Sequence, residues 1–305
     1  MRKVKVTVPA STTNIGCGFD CLGLALSLYN TIEIELTEEE GVFIEIEGEG
    51  KELIPDDSSN IIFPAIKLVF ERMKKKLQGI KIKEVNCIPL EKGLGSSGAT
   101  RVGGIVAANY LLHANLSPKE ILKMVTLLEG HPDNAAASLI GGLVAVTKSQ
   151  GEPVWVKLSI PCNLKVVVVL PEIRIPTSKA RKILPEKISF SDAVFNLSRL
   201  AVLVSSLSYG IWENLPLATQ DRLHQPYRSS LLPGMNKIFE AALDTGAKGV
   251  FLSSAGSGIA AFSFEKEARK VGEAMQKVFF EEGIKAEVLV LSVDQEGCRV
   301  KEEEQ

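Results

Sequence analysis

Between a β-prone run at residues 85–88 and a small-residue helical pattern at 99–112 lies the stretch Pro89-Leu90-Glu91-Lys92-Gly93-Leu94-Gly95-Ser96-Ser97-Gly98-Ala99. Glycines at 93, 95 and 98 remove the Cβ atoms that would keep a ligand off the backbone. Ser96 and Ser97 stand where a helix needs N-caps. Backbone amides converging at a helix N-terminus bind anions, so a phosphate fits this stretch. The spelling Gly-x-Gly-x-x-Gly is present, but it falls too late for an opening Rossmann unit and no clear βαβ repeat follows it. A Walker A loop needs Lys and then Ser or Thr after the last glycine, where Ala99 and Thr100 stand; no His-Arg-Asp or Asp-Phe-Gly of a protein kinase follows. A glycine turn that merely caps an ordinary helix stays open as the bland alternative.

Other polar clusters could complete a site. Residues 9–23 are too rich in small polar residues and glycine for a core strand and read as a loop. Within it, Asn14 and Asp20 have the side chains able to make strong directional contacts to a polar ligand; local Asx turns are the competing reading. Glu129-Gly130-His131-Pro132-Asp133-Asn134 is a second polar cluster between apolar helical segments and suggests another wall of the site. His131 taken alone reads equally well as a satisfied structural histidine. Thr177 is a plausible N-cap with Arg181 one turn later on the same face, and Arg181 taken alone reads also as a surface cation.

The elements that must position these residues follow from periodicity. Val4, Val6 and Val8 alternate in a half-buried strand expected to stop at Pro9. Residues 29–36 and 42–46 alternate again and read as antiparallel strands with one wet face. Residues 61–77 have helical spacing behind a polar cap at 56–60, and residues 80–88 lead to the glycine stretch. Ser117-Pro118 opens a helix that delivers Glu129, with Pro at its first position. Residues 143–147 and 154–158 close a first domain, 1–160. A fully apolar strand at 164–170 opens a second domain, 161–305, running strand, helices, strand, strand, helix, strand, which suggests a ferredoxin-like layer. The hairpin around Ser253-Ser-Ala-Gly256-Ser-Gly258 lies within it, and 302–305 read as a frayed tail.

The chain has 305 residues, 45% hydrophobic, with a formal charge of -2, enough for two cores and without a bias toward nucleic acid or an anionic membrane. Arg2, Lys3 and Lys5 lead into alternation rather than an apolar run, so no signal peptide is expected, and no window approaches an uninterrupted membrane span. Cys17, Cys21, Cys87, Cys162 and Cys298 are scattered without metal spacing and read as reduced, mostly buried thiols of a cytoplasmic protein.

Pro-Leu-x-x-Gly-Leu-Gly-Ser-Ser-Gly-Ala resembles the nucleotide motif of the galactokinase, homoserine kinase, mevalonate kinase and phosphomevalonate kinase (GHMP) superfamily. Pro9-Ala-Ser-Thr-x-Asn14-x-Gly-x-Gly-Phe-Asp20-x-x-Gly is similar to the opening motif of its homoserine kinase branch, as are Glu-Gly-His-Pro-Asp-Asn at 129–134, Thr-x-x-Ala-Arg181-x-x-Leu-Pro, and Arg228. The turn at 253–258 resembles the superfamily's third motif, a second glycine loop beside the first. Nearly the whole chain is covered.

The resemblance implies an α+β protein with the two-domain GHMP kinase fold: an N-terminal ribosomal-S5-domain-2-like α/β domain and a C-terminal ferredoxin-like α/β sandwich. It implies phosphorylation of the side-chain hydroxyl of L-homoserine by ATP with Mg²⁺, in threonine biosynthesis. Residues 89–99 would hold ATP; Ser97 and Glu129 would be the Mg²⁺ ligands, a hard-oxygen set that leaves room for waters. Asn14, Asp20, His131, Asn134, Thr177, Arg181 and Arg228 would hold the acceptor, Asp20 facing its ammonium and the two arginines its carboxylate. Asn134 stands where relatives have an aspartate, and an amide cannot serve as base, so Asp20 and Asn134 are positioning candidates and no general base is assigned. Arg101 is unusual, since relatives generally carry a small or apolar residue there; it either reaches solvent or touches a phosphate. The expected partner is the small molecule alone, with neither nucleic acid nor membrane, and a homodimer is left open. The alternatives are another kinase of the superfamily, of mevalonate or shikimate type, or a non-catalytic ligand sensor on the same fold.

Overall fold

A computed structural model describes residues 3–161 and 163–302; Cys162 and residues 303–305, the greater part of the expected tail, lie outside the described residues. In the first half, β1 (Lys3–Asn14), β2 (Gly18–Thr37) and β3 (Gly41–Gly48) precede α1 (Ile62–Arg72) and β4 (Gly79–Asn86). Then come α2 (Ser96–Leu112), α3 (Pro118–Glu129), α4 (Asp133–Ile140), β5 (Leu143–Ser149) and β6 (Glu152–Leu158). The second half runs β7 (Leu164–Pro171), α5 (Thr177–Lys182), α6 (Phe190–Tyr209), α7 (Leu215–Ala218), α8 (Gln225–Arg228) and α9 (Met235–Asp244). It closes with β8 (Gly249–Leu252), β9 (Ile259–Phe264), α10 (Glu265–Glu281), β10 (Ala286–Ser292) and β11 (Arg299–Glu302).

One sheet has the order β11-β1-β2-β4-β3, with β5 on β2 and β6 on β5; the other has the order β10-β7-β9-β8 and antiparallel pairing throughout. The second order, with helices after its first and third strands, is the ferredoxin-like arrangement expected. Its first strand is apolar on both faces because both are covered. Val166 and Val168 join the large cluster shared with the first sheet, while Val167 and Val169 face a second cluster with α9 and α10.

Four sequence expectations change. β1 does not stop at Pro9; after an irregularity between Pro9 and Ala10 it continues paired with β2 to Asn14, and the turn shrinks to the residues between them. The small polar residues there are buried because they bond one another: Thr12 Oγ1 lies 2.8 Å from Ser253 Oγ, and Thr13 Oγ1 donates to Ser254 Oγ at 3.0 Å. β3 is parallel to β4, not antiparallel to β2, because α1 carries the chain across between them. α1 ends at Arg72 rather than at residue 77, with Lys74 in the left-handed region (φ 53°). Glu302 is not frayed, since β11 returns to pair with β1.

Helix α6 is long and apolar enough, by length and composition alone, to cross a membrane. It nevertheless carries Asp192 and Arg199, and its buried Asn196 donates to Asp221 Oδ1 at 2.7 Å.

Candidate active site

The glycine stretch leaves β4 and enters α2. Gly95 takes the N-cap position in the left-handed region (φ 71°), and no side chain caps the helix. Ser96 and Ser97 are therefore the first helical residues, not caps as the sequence suggested; a left-handed glycine closes the turn without a side-chain oxygen. First-turn amides have no partner within a helix, and here they stay available at the mouth of a cleft.

Ligand approach is not what requires glycine at 93 and 95. Gly93 has φ 74°, and a Cβ there would lie 2.1 Å from the Ser253 carbonyl oxygen; one on Gly95 would lie 2.3 Å from Ser11 Oγ and 2.6 Å from Asn134 Oδ1. Protein atoms press on the loop from outside. The second glycine loop, between β8 and β9, is one of them: Ser253 Oγ donates to the Gly93 carbonyl at 2.5 Å, and the Gly258 amide donates to that of Lys92 at 3.1 Å.

The cleft holds about 600 Å³, ample for a nucleotide and a small acceptor. Of the expected ATP residues, Pro89, Leu90, Glu91, Gly93, Leu94, Gly95, Ser96 and Ser97 line it, while Lys92, Gly98 and Ala99 do not. The Lys92 ammonium donates instead to the carbonyls of Pro171 and Ile173, tying the loop to the end of β7.

All the expected acceptor residues, Asn14, Asp20, His131, Asn134, Thr177, Arg181 and Arg228, line the same cleft. Arg181 donates through both terminal nitrogens to Asp20, at 2.9 and 2.8 Å, with each side chain about one-third exposed, 36% and 37%. Thr177 is the first residue of α5, not its cap, which is Pro176. Asn14, at φ 70°, is held in place: its amide donates to the Ser254 carbonyl at 2.7 Å and its oxygen accepts from the Asp20 amide at 3.0 Å. Asn134 Oδ1 accepts from Ser11 Oγ at 2.9 Å, so that oxygen is engaged by the protein.

Arg228 is buried. Its Nε donates to the Ala180 carbonyl at 3.1 Å, and Nη1 donates to the Ser254 carbonyl at 3.0 Å and to His224 Nδ1 at 3.2 Å. This geometry requires neutral His224 with its proton on Nε2, which donates to the Gly16 carbonyl at 2.8 Å. Burial, partly offset by Asp221 and reinforced by Arg228, lowers the His224 pKa from 6.5 to about 4. Phe19 stacks on His224 and lies beneath both guanidinium groups, 5.8 Å from Arg181 and 5.3 Å from Arg228.

Sequence reasoning missed His224, although its spacing of four from Arg228 was a signal, and it missed Asp133. The buried Asp133 carboxylate bonds His131 Nδ1 at 2.9 Å. Burial raises its pKa, but the His131 ring, the Asn134 amide and Thr13 outweigh that and hold it low.

Ser97 Oγ donates to Glu129 Oε2 at 3.2 Å, so the two expected metal ligands are neighbours and both are hard oxygen donors. Arg101, one turn after Ser97, is partly buried and does not stand alone; its Nη1 pairs with Glu129 Oε1.

Residues 60–142 match the model for the GHMP kinases N terminal domain and residues 205–281 that for GHMP kinases C terminal. The chain belongs to the GHMP kinases. It is 41% identical over 300 residues to the homoserine kinase of Caldicellulosiruptor saccharolyticus, covering 97% of this chain and 96% of the relative. The crystal structure of homoserine kinase from Cytophaga hutchinsonii superposes with a TM-score of 0.90 at 34% identity, over 99% of this chain and 98% of that one. Within the GHMP kinases it falls in the homoserine kinase family. A mevalonate kinase from L. major, at 17% identity and a TM-score of 0.72 over 96% of each chain, shares the fold.

Proposed function

We propose that the chain transfers the γ-phosphoryl group of ATP to the side-chain hydroxyl of L-homoserine, giving O-phospho-L-homoserine, a step of threonine biosynthesis. The observation that carries this reading is the Asp20–Arg181 pair, which lines one cleft together with Arg228 and the uncapped α2 N-terminus. A partly exposed ion pair, screened by solvent, contributes only about 1 kcal/mol, so a zwitterion that gives its ammonium to Asp20 and its carboxylate to the guanidinium groups can replace it.

Phosphoryl transfer asks chiefly for alignment and charge compensation. The first-turn amides and the α2 dipole hold the triphosphate, and Asp20, Arg181 and Arg228 fix the acceptor so that its hydroxyl faces the phosphates. Ser97 and Glu129 would hold Mg²⁺, which when bound compensates charge on the phosphates. No side-chain carboxylate is assigned as general base, since Asn134 is an amide with its oxygen already bonded to Ser11. We place the protein in the cytoplasm, in keeping with Cys17, Cys21, Cys87 and Cys298 as free thiols, and divide it near residue 160; fluorescence of a tagged chain in cells and limited proteolysis test these two points.

A coupled ADP-release assay over homoserine, mevalonate, shikimate and galactose tests the reading. Homoserine-dependent turnover at least about 100-fold above the other acceptors is expected, because a site with buried charged groups discriminates strongly against molecules that leave them unpaired. Equal turnover with mevalonate would contradict it.

A further inference from the structure

Arg101 is the one basic side chain of the α2 first turns, and its surroundings are specific. It lies four residues after Ser97 on the same helical face and lines the cleft. Its side chain is 18% exposed and that of Glu129 only 9%. The two carboxylate oxygens are divided: Oε1 takes Arg101 Nη1, while Oε2 takes the Ser97 hydroxyl. Arg101 Nε is buried without a hydrogen-bond partner. A carboxylate this enclosed is costly to leave uncompensated, and the arginine supplies the compensation.

We propose that Arg101 is a resident cation of the nucleotide site that competes with Mg²⁺ for Glu129 and supports the phosphates when metal is scarce. The inference rests on the kinase reading for the identity of the ligand. The guanidinium holds the Glu129 carboxylate turned toward Ser97 and brings positive charge beside the phosphate-binding amides. A divalent cation entering between Ser97 and Glu129 meets that charge at short range and is repelled by it. Arg101 therefore strengthens nucleotide binding without metal and weakens the apparent affinity for metal. It acts on Glu129 and is a positioning residue.

Calorimetric titration of the full-length protein with ADP tests this, first with EDTA and then at fixed ADP with increasing Mg²⁺. For Arg101→Met, which keeps the side-chain length and removes the charge, metal-free ADP affinity is expected to fall about tenfold. The Mg²⁺ concentration for half-saturation is expected to fall severalfold in the same variant. A merely structural role would lower nucleotide affinity under both conditions and would leave the Mg²⁺ midpoint unchanged or raised. Either unchanged metal-free affinity or a raised Mg²⁺ midpoint overturns the proposal. If Arg101→Met does not fold, Arg101→Lys provides the test: retaining the charge, it must keep the metal-free affinity within about threefold of wild type, and a tenfold loss overturns the proposal. Homoserine turnover by the wild-type enzyme at saturating Mg²⁺ is independent of these outcomes, so failure of the kinase reading and failure of this inference are distinguishable.

Discussion

Asp20 and Arg181 are bonded to each other, and that fixes what substitution of either should do. Asp20 sits at φ 55° just after the β1–β2 turn, its amide bonded to Asn14, so its carboxylate is aimed by backbone as well as by the arginine. In the proposed role of ammonium anchor, Asp20 would act on affinity. Asp20→Asn is expected to raise the KM for homoserine about 10–100-fold, the loss of one charge-assisted contact, with kcat within a few-fold of wild type. Steady-state kinetics checks this: a fall in kcat at unchanged KM would make Asp20 a base candidate instead. The sequence showed Asp20 and Arg181 as separate motifs and gave no sign that they pair. Their contact spans 161 positions and depends on where α5 docks.

At the scale of elements, the glycine loop was readable as an anion site, but the reason for its glycines was not. The second loop presses on it, and that contact exists only once the β8–β9 hairpin is in place beside it. Gly93→Ala is expected to displace the loop, because the new Cβ has backbone rather than a flexible side chain 2.1 Å away and φ is 74°. Nucleotide affinity should drop by about 100-fold or more, while circular dichroism stays native; an unchanged ADP affinity would show the loop to be more yielding than this packing implies. The start of α3 at Ser117-Pro118 was legible because it is local, and the structure adds a capping box in which Ser117 and Glu120 satisfy each other's backbone amides. The continuation of β1 past Pro9 was hidden for the opposite reason, since Ser11, Thr12 and Thr13 look like a loop until their partners Asn134, Ser253 and Ser254 arrive from distant parts of the chain. β11 was missed because four residues, Arg299–Glu302, are too short a pattern to read without the edge they pair with.

For the whole molecule, one buried titratable group ties the second half to the β1–β2 turn: His224, bonded to the Gly16 carbonyl. The histidine is buried and neutral, its folded pKa lowered to about 4 from an ordinary 6.5. Below about pH 6.5 the unfolded chain takes up a proton that the folded chain does not, so stability present above that pH is lost as pH falls toward 4. The loss from this group alone is on the order of 3 kcal/mol. Urea unfolding of wild type and His224→Gln between pH 7 and 4 checks it, the variant being expected to show a flatter dependence; equal slopes would mean that His224 is not the group responsible. The ferredoxin-like second half was accessible from its order of elements and the apolar β7, because periodicity reports burial directly, whereas the fold of the whole chain came from the resemblance of its motifs. The convergence of Arg228, His224, Gly16 and Phe19 was not, because it is made of side-chain contacts between segments about 200 residues apart.

The proposed function rests on one cleft in which a helix N-terminus would hold phosphates and Asp20 with the two arginines would hold a zwitterion. Its most direct test is kcat/KM for homoserine against the same molecule lacking the ammonium and lacking the carboxylate. Each deletion is expected to lower kcat/KM by about 100-fold or more, since each leaves a charged group of the cleft without its partner. Phosphorylation of either analogue at close to the homoserine rate would contradict it.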